Sequence, residues 1–164
     1  MPEDCLFCKI ADRKIPASVI YEDGKAVAFL DITPHAEGHT LVVPKHHVGT
    51  LADLPESEIE PLFKAVKSVA ELLIDRLHAE GLTIGINQGA VSGQVVGHLH
   101  IHILPRFGGD GGGSIQSVVH SPSSNSLKDV QKKILSAANP PRSPRVKDGG
   151  SPGVAGRNKS AERS

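Results

Sequence analysis

The chain has 164 residues, of which 38% are hydrophobic, and its formal net charge at pH 7 is zero. This length is typical of one domain, and the neutral charge gives no general attraction to nucleic acids or membrane surfaces, so we expect neither as a partner. No apolar run approaches the roughly 20 residues of a membrane-spanning helix. The first residues, MPEDCLFC, lack the basic start and apolar run of a secretory signal, and this predicts a cytoplasmic protein.

The first fifty residues have the pattern of a short helix followed by three strands. The helix is predicted over CLFCKIADR and ends before Pro16. A hairpin is predicted from SVIYED and AVAFLDI, because two runs of strand-forming residues flank Gly24. A third strand is predicted over HTLVVPK, where Pro44 closes it.

The longest predicted element is a helix between Pro55 and Glu80. Pro55 near its start and Gly81 just beyond its end follow the usual asymmetry of helix termini. Pro61 is tolerated only in a first turn or at a kink, which leaves room for the regular helix to begin later. Apolar residues three and four positions apart form one stripe along it: Ile59, Leu62, Phe63, Val66, Val69, Leu73 and Leu77.

The remaining elements complete an α+β pattern. A fourth strand is predicted over LTIGINQG, a fifth over HLHIHIL, and a last helix over LKDVQKKILSAA with Ser126 as its N-cap. Between them, FGGDGGGS from Phe107 to Ser114 is predicted as a flexible loop. Hairpins joined to a few helices predict an antiparallel sheet of about five strands with one long and one or two short helices.

The end of the chain differs in composition from the rest. Residues 139–164 consist mostly of Pro, Gly, Ser and charged residues, with six basic and two acidic side chains. Such a segment cannot bury enough apolar surface to offset its ordering entropy, so we predict a disordered tail. The folded domain is predicted over residues 1–138.

Three histidines alternate with aliphatic residues in GHLHIHILPR. On a strand, His98, His100 and His102 would face one side, roughly 6–7 Å apart in succession, and the aliphatic residues would face a core. Pro105 is expected to end the strand. Three interpretations remain open on this pattern: a catalytic metal site, a solvated ladder of histidines, or a nucleophilic imidazole whose neighbours supply protons and charge.

Two cysteines, Cys5 and Cys8, form a C-x-x-C motif near the start of the chain. No strand precedes them, so half of a zinc site is favoured over a thioredoxin-like redox motif, with unligated packing as the third option. A tetrahedral site would need two further ligands, and the body of the domain offers His35, His39, His46, His47, His78, His98, His100 and His102.

The segment NQGAVSGQVVGH precedes the histidines and is rich in glycine and amides. Asn87, Gln88 and Gln94 would provide neutral donors, while Gly89 and Gly93 let the main chain approach a ligand. This composition indicates a phosphate-binding loop, and a plain turn between two strands is the alternative. The chain contains no Walker-type phosphate motif.

At these residues the sequence resembles the histidine triad (HIT) family of nucleotide hydrolases and transferases. The family motif, three histidines alternating with apolar residues, matches His98 to Leu104. CLFCKIADRKIPASVIYED, AFLDITPHAEGHTLVVPKHHV, INQG and GQ follow in the family's order, so the resemblance covers roughly residues 5–108. It is closest to the Hint branch, particularly to the zinc-carrying microbial members.

The resemblance implies a role for each matching position. His100 would be the nucleophile that forms a nucleotidyl-histidine intermediate, and His102 would contact the phosphate or the leaving group. Asp31 would bind the ribose hydroxyls. The base would lie against Phe7, Ile10, Phe29, Ile32 and Leu41, and the phosphate or leaving group against Asn87, Gly93, Gln94 and Val95. Members of the family commonly have Ser or Thr at position 95, so Val95 offers only its main-chain N–H.

The resemblance also implies a structural zinc ion and a homodimer. Its zinc ligands match Cys5, Cys8, His47 and His98, which assigns the first histidine of the triad to the metal. The expected reaction is hydrolysis of nucleoside phosphoramidates or related purine nucleotide derivatives at the α-phosphate. Hydrolysis of dinucleoside polyphosphates and a non-catalytic nucleotide-binding function are the alternatives, and a metal-dependent hydrolase is a further one.

Overall fold

The computed structural model describes residues 4–136, so the predicted tail at 139–164 and the end of the predicted domain lie outside the described residues. Five strands form one antiparallel sheet in the order β1-β2-β3-β5-β4, which confirms the predicted α+β fold. The strands are β1 (Val19–Glu22), β2 (Ala26–Leu30), β3 (Thr40–Pro44), β4 (Gly81–Gly85) and β5 (Ile101–Arg106). The helices are α1 (Leu6–Ala11), α2 (Glu56–Leu77) and α3 (Leu127–Ser136), with 3-10 turns at Leu51–Asp53, Ala90–Ser92 and Ile115–Val118.

The two faces of the sheet carry separate apolar clusters. Side chains alternate along the strands, so β2 and β3 contribute to both faces and are buried throughout. The cluster against α2 contains Ala26, Ala28, Val42, Ile101, Ile103, Leu62, Val69 and Leu73. The cluster on the other face, against α1, contains Phe7, Ile10, Val27, Phe29, Leu41 and Val43. The second cluster forms the floor on which the functional residues lie.

Helix α2 packs most of its apolar stripe on the sheet, but Ile59 and Phe63 of the predicted stripe are exposed, and the helix ends differ from the prediction. The helix begins at Glu56 and contains Pro61, so it does not start after the proline. Pro61 removes one N–H donor near the helix start, where the exposed carbonyl of Ser57 can be hydrated instead. At the other end His78 adopts the left-handed conformation at φ 55°, and Gly81 is already the first residue of β4. Among residues 4–136, no helix combines the length and apolarity needed to cross a membrane.

Strand β5 is shorter at its start and longer at its end than the sequence pattern predicts. It begins at Ile101, so His98 and His100 precede the strand and only His102 belongs to it. The expectation that Pro105 ends the strand is wrong, because Pro105 pairs with Leu82 of β4. The ladder between β3 and β5 has already ended at Ile103, so the missing N–H of Pro105 costs no bond to β3.

Gly38 leads into β3 and lies against the end of α2. Its φ is +76°, and a Cβ atom there would lie 2.3 Å from Cδ1 of Leu77 and 3.2 Å from Cγ of Pro105. A side chain here would require Leu77 to shift, and the positive φ disfavours any residue with a Cβ. Gly38 therefore fixes where β3 begins and where the next residue, His39, is held.

The predicted glycine-rich loop after β5 is tied down by one ion pair. Arg106 contacts both carboxylate oxygens of Asp110, and its guanidinium also donates to Oγ1 of Thr83. Asp110 in turn accepts the N–H groups of Phe107 and Gly112.

The start of α3 agrees with the prediction. The N–H of Asp129 donates to Oγ of Ser126 at 3.2 Å, which confirms Ser126 as the N-cap of α3.

Candidate active site and metal centre

The structure brings the two cysteines and two of the histidines together at one end of the sheet. Cys5 is the N-cap of α1, Cys8 lies in α1, His47 follows β3, and His98 precedes β5. Sγ of Cys5 lies 3.4 Å from Nδ1 of His98, and Sγ of Cys8 lies 3.4 Å from Nδ1 of His47 and 3.6 Å from Nδ1 of His98. The two Nδ1 atoms are 3.3 Å apart. We call these four residues the Cys/His cluster.

The spacing of the four donor atoms fits a zinc ion. Tetrahedral zinc has Zn–S distances of about 2.3 Å and Zn–N distances of about 2.0–2.1 Å, which require S···N separations of roughly 3.5 Å and N···N separations of roughly 3.4 Å. The observed separations of 3.3 to 3.6 Å match these values. With four protein donors, such an ion would have no open position for a substrate.

The protonation chemistry of the cluster also suits a metal. Nε2 of His98 donates to the carbonyl of Pro44 at 2.9 Å, which leaves Nδ1 with its lone pair facing the cluster. Burial lowers the pKa of His98 to about 4, although its bond to Pro44 opposes this, so the imidazole is neutral. Burial, with the neighbouring Cys5, raises the pKa of the Cys8 thiol to about 12. A thiolate at Cys8 therefore needs a cation beside it.

His100 is held with one ring nitrogen free for chemistry. Its Nδ1 donates to the main-chain carbonyl of His98 at 2.7 Å, so its Nε2 carries the lone pair in the neutral ring. The ring of Phe7 packs edge-on against it, with centroids 5.3 Å apart. Among the described residues, Nε2 of His100 has no hydrogen-bond partner. This is the arrangement that a nucleophilic imidazole requires.

A second chain of histidines ends beside His100. The main-chain N–H of His35 donates to Nδ1 of His39, at 3.3 Å. Because a main-chain N–H can only donate, the ring proton of neutral His39 lies on Nε2, which faces Nδ1 of His102 at 2.9 Å. The ring proton of neutral His102 consequently lies on Nε2. Within residues 4–136 that nitrogen is a buried polar atom without a hydrogen-bond partner.

An unpartnered buried N–H normally costs free energy, so Nε2 of His102 indicates a missing ligand. Its ring lies 5.0 Å from the ring of His100, centroid to centroid. Burial, followed by the nearby His100 and His39, lowers the pKa of His102 to about 4. The group is therefore a neutral donor at pH 7, on a ring that neighbours the ring of His100.

We expect His102 to remain neutral in the folded protein well below pH 6. The unfolded chain titrates near pH 6.5, so between about pH 6.5 and 4 unfolding takes up a proton at this residue and acidification destabilises the fold. His39, His100, His35 and Asp31 are the titratable groups that act on it. Nitrogen-15 NMR of the imidazoles between pH 7 and 4 measures this directly, and a midpoint near 6.5 for His102 would contradict it.

Asp31 completes the polar side of the site. Burial acts to raise its pKa, but the N–H and hydroxyl of Thr33, both bound to Oδ1, lower it by more, so the carboxylate is ionised. Its Oδ2 lies 3.7 Å from Nδ1 of His39. Asp31, His39 and His102 are close enough for a metal as well, with one ligand atom from each within 4.8 Å of the others. The hydrogen bond between His39 and His102 occupies both facing nitrogens, and this favours a hydrogen-bonded chain of the three residues over a metal site.

The residues expected to contact a base form the floor beside His100, with one exception. Phe7, Ile10, Phe29 and Leu41 are buried in the cluster against α1, and the rings of Phe7 and Phe29 are 5.5 Å apart. Ile32 does not join them and is 93% exposed. It lies beyond the end of β2, in the turn that Asp31 and Thr33 close, where it could only form part of a rim.

The glycine-rich loop before His98 is clamped by amide side chains. Oε1 of Gln94 accepts the N–H of Gly89 at 2.8 Å, and its Nε2 donates to the carbonyl of Gly49 at 2.9 Å. These bonds use one acceptor site and one of the two N–H donors of the amide, so a phosphate contact by Gln94 would use the second N–H of Nε2. Gln88 binds the same neighbouring segment, which contains Gly49 and Leu51, since its Oε1 accepts the N–H of Leu51 at 3.0 Å.

The tip of this loop faces solvent. Gly93 has a φ of +91°, and a Cβ atom there would come within 4.0 Å of Nδ2 of Asn87. Val95 is 92% exposed, and in the described part of the chain its main-chain N–H has no hydrogen-bond partner. The loop therefore presents a free N–H and not a hydroxyl, as the sequence analysis expected of Val95.

Two features of the site were not predicted from the sequence. His39 was included only among possible metal ligands, whereas the structure places it between Asp31 and His102. Alternation along β3 was the available signal: residues 39, 41 and 43 share a face, and Leu41 pairs with His102. Thr33, which holds the Asp31 carboxylate, was not identified, although Asp-x-Thr is a common local hydrogen-bonding pattern.

Comparison with known proteins identifies relatives along most of the described chain. An uncharacterised HIT-like protein of Methanocaldococcus jannaschii is 49% identical over 107 residues, which are 65% of this chain and 82% of that protein. An adenosine 5'-monophosphoramidase of Candida albicans is 37% identical, over 62% of this chain and 70% of its own. An adenylylsulfatase of Arabidopsis thaliana is 35% identical, over 65% of this chain and 54% of its own.

Solved structures show the same fold. A member of the HIT family of proteins from Bacillus subtilis superposes with a TM-score of 0.72 at 36% identity, covering 82% of this chain and 94% of that chain. A zinc-bound histidine triad family protein from Mycobacterium smegmatis superposes with a TM-score of 0.63 at 39% identity, covering 66% of this chain and 78% of that chain. The HIT domain family itself matches residues 12–109. With its triad, its sheet and its relatives in agreement, the chain belongs to the HIT domain family.

Proposed function

We propose that this protein is a Hint-like hydrolase that acts at the α-phosphate of purine nucleotide derivatives, through a covalent intermediate on His100. The observation that carries the proposal is the pair of neighbouring rings, with centroids 5.0 Å apart, in which Nε2 of His100 is free and Nε2–H of His102 is unpartnered. The first suits attack on phosphorus, and the second suits a phosphate oxygen that gains charge during the reaction.

The two chemical steps follow from these tautomers. Nε2 of His100 forms a bond to phosphorus while the bond to the leaving group breaks, and the leaving atom keeps that electron pair and is protonated by water. The new imidazolium is stabilised because its Nδ1–H already faces the carbonyl of His98. In the second step water adds to phosphorus and gives one proton to the hydroxide left by the first step, the P–N bond breaks, and its electron pair returns to Nε2 of His100. One water is consumed, and the nucleoside monophosphate is released.

Other residues are proposed to bind and orient the nucleotide. Asp31 accepts the ribose hydroxyls, since its carboxylate is ionised and its Oδ2 remains beside the site. The buried cluster of Phe7, Ile10, Phe29 and Leu41 supports the base, with Ile32 at the rim. The free N–H of Val95, with Asn87 and Gly93 nearby, contacts the phosphates, and Gln94 holds the loop that presents them.

The leaving group is expected to be an amine, which one of the two characterised relatives supports, while both support an adenylyl group. One relative is named as a phosphoramidase and another as an adenylylsulfatase, so both names describe adenylates with different leaving groups. We therefore propose adenosine 5'-phosphoramidate or an amine conjugate of AMP as the substrate. Diadenosine tetraphosphate is the second candidate, because attack at its α-phosphate would use the same residues.

Mass spectrometry of the protein quenched during turnover of adenosine 5'-phosphoramidate tests this function. We expect one added adenylyl group, which peptide mapping locates on His100. Diadenosine tetraphosphate in a parallel reaction distinguishes the second candidate by its rate. Turnover without any adduct, or an adduct on another residue, would exclude the proposed intermediate. Binding of AMP without turnover of either substrate would indicate a non-catalytic nucleotide-binding protein.

We further propose that the Cys/His cluster holds a structural zinc ion and that the protein works in the cytoplasm. The donor spacing and the zinc-bound relative support the metal. Both cysteines are free of disulfides, as thiolate ligands must be, and a reducing compartment keeps them so.

A homodimer is proposed from two exposed features. Strand β4 lies at an edge of the sheet with Ile84 41% exposed, and α2 presents Phe63 and Ile74 at 44% and 43% exposure. An unpaired edge strand is a liability that pairing with a second copy removes.

Replacing Phe63 with glutamate is expected to shift the dimer to a monomer, because the charge would have to be buried in the contact. Light scattering at micromolar concentration measures the change. Val19→Glu is the matched control, since Val19 is 44% exposed on the opposite edge strand, β1, and should leave the dimer intact. A monomeric wild-type protein would overturn the proposal.

A further inference from the structure

The Cys/His cluster and the nucleophile are joined by two direct contacts. His98 belongs to the cluster through Nδ1, and its own carbonyl accepts the Nδ1–H of His100 at 2.7 Å. Phe7 lies between the two cysteines on α1, and its ring meets both histidines edge-on, with centroids 6.0 Å from His98 and 5.3 Å from His100. A shift of the cluster would therefore displace His100 through two groups, the peptide that carries the His98 carbonyl and the ring of Phe7.

The sheet does not hold this part of the chain. Strand β5 begins at Ile101, so the segment that carries His98 and His100 lies outside the ladder. What fixes it is the cluster, the bond from Nε2 of His98 to the carbonyl of Pro44, and the bond from the N–H of Leu99 to the carbonyl of Val48 at 2.7 Å. The direction of the His98 carbonyl is therefore set from two sides: by the N–H of Leu99, which belongs to the same peptide and binds Val48, and by the cluster and Pro44, which hold the His98 side chain.

That carbonyl decides which nitrogen of His100 is free. It can only accept, so it selects the form of His100 with hydrogen on Nδ1 and the lone pair on Nε2. If the carbonyl turned away, the two tautomers of His100 and its ring orientation would no longer be fixed. The nucleotide-binding residue Asp31 comes from the end of β2 and does not depend on this segment.

We propose that the Cys/His cluster, when it holds zinc, is a positioning device for the nucleophile, so that its loss lowers kcat much more than it weakens nucleotide binding. This inference rests on the proposed function and assigns to the four residues a second role besides stability. His98 is a positioning residue here, since it acts through His100. A nucleophile displaced by about 1 Å loses roughly a hundredfold in rate, which is the size of the effect expected on kcat.

The experiment compares His47→Ala with the wild type and with His47→Cys. His47 touches the cluster from the loop after β3, so its replacement leaves Phe7 and the base cluster unaltered. The cysteine variant keeps four donors in a set that zinc also accepts, and should restore both the metal and kcat. In His47→Ala we expect zinc content to fall, kcat to drop about a hundredfold and KM to change by less than about threefold.

Nitrogen-15 NMR of His100 provides a readout that activity alone cannot. The zinc-loaded protein should show a single Nδ1–H tautomer, and the zinc-depleted protein should show a mixture while its sheet signals persist. Chelator titration of the wild type gives the same comparison without a mutation. A fixed Nδ1–H tautomer in a folded, zinc-free protein would overturn the proposal. Global unfolding on loss of zinc would also overturn it, because the cluster would then only stabilise the fold.

The two proposals fail in different ways. If the wild type forms no adduct and turns over no nucleotide, the proposed function fails, while the His100 tautomer still reports whether zinc controls the ring. If turnover and the adduct are present but kcat is independent of zinc, only the positioning role is lost.

Discussion

Replacing His100 with alanine lowers turnover of adenosine 5'-phosphoramidate by on the order of 10⁴-fold or more, while the affinity for AMP stays within about tenfold of the wild type. The loss is large because no other described residue offers a free imidazole nitrogen held by a main-chain carbonyl beside His102. Binding survives because Asp31 and the cluster of Phe7, Phe29 and Leu41 are untouched. Steady-state kinetics and calorimetric binding of AMP measure the two quantities separately.

His120→Ala serves as the control, since this exposed histidine lies outside the site and its loss should change neither quantity. If His100→Ala retained wild-type turnover, the nucleophile would have to be another group. If it lost binding and turnover together, His100 would contribute chiefly to holding the nucleotide.

The Cys5→Ser/Cys8→Ser double variant is expected to lose its zinc and a large part of its stability. Two of the four donors disappear, and the cluster is what joins α1 to the chain before β5. When free zinc exceeds its dissociation constant a thousandfold, binding to the folded state contributes about 4 kcal/mol to the free energy of unfolding. Metal analysis should change from about one zinc per chain to none, and denaturant unfolding should show the lost stability.

Chelator treatment provides the internal control for this variant. It should destabilise the wild type and leave the double variant unchanged, because the variant has no zinc to lose. Retention of zinc by the double variant would show that the metal is bound elsewhere. Equal stability with and without chelator in the wild type would show that the cluster does not depend on a metal.

The sequence was sufficient to predict the architecture because its apolar periodicities agree with its turn residues. The short apolar run of β3 and the steps of three and four in α2 are distinct patterns, and Ser126 marks the start of α3. Helix ends were less predictable, since His78 takes the left-handed conformation that is usually reserved for glycine. Nothing local distinguishes His78 from the residues around it, and the packing of Leu77 and Ala79 decides the matter.

The histidine segment shows where period-two reasoning fails. Alternation continues through His98 and His100, but a strand also needs a neighbour with free hydrogen bonds, and β3 pairs with β5 only from Ile101 onward. The two histidines instead bind main-chain carbonyls, those of Pro44 and of His98 itself. These partners come from distant or non-periodic positions, so the sequence pattern contains no sign of them. The tautomers on which the chemistry depends were therefore beyond sequence reasoning.

The cluster residues were expected from a family resemblance and not from spacing alone. Cys5 and Cys8 indicated half of a zinc site, but eight histidines could have completed it. The structure selects His47 and His98 because β3 and β5 are neighbours, which places the residue that follows one beside the residue that precedes the other. The spacing of residues along the chain does not reveal that β3 pairs with β5 and not with β4.

Gly38 has a consequence for how this protein tolerates mutation. A Cβ atom there would overlap the Leu77 side chain, which would have to move, and the positive φ of +76° would strain any side chain at position 38, so a substitution there would disturb the start of β3. The residue displaced with β3 is His39, which orients His102 through a 2.9 Å hydrogen bond. In a saturation library scored for growth or activity, position 38 should therefore behave like an active-site residue although it carries no functional group. A second-site change that shortens Leu77, such as Leu77→Ala, is the compensating mutation to expect.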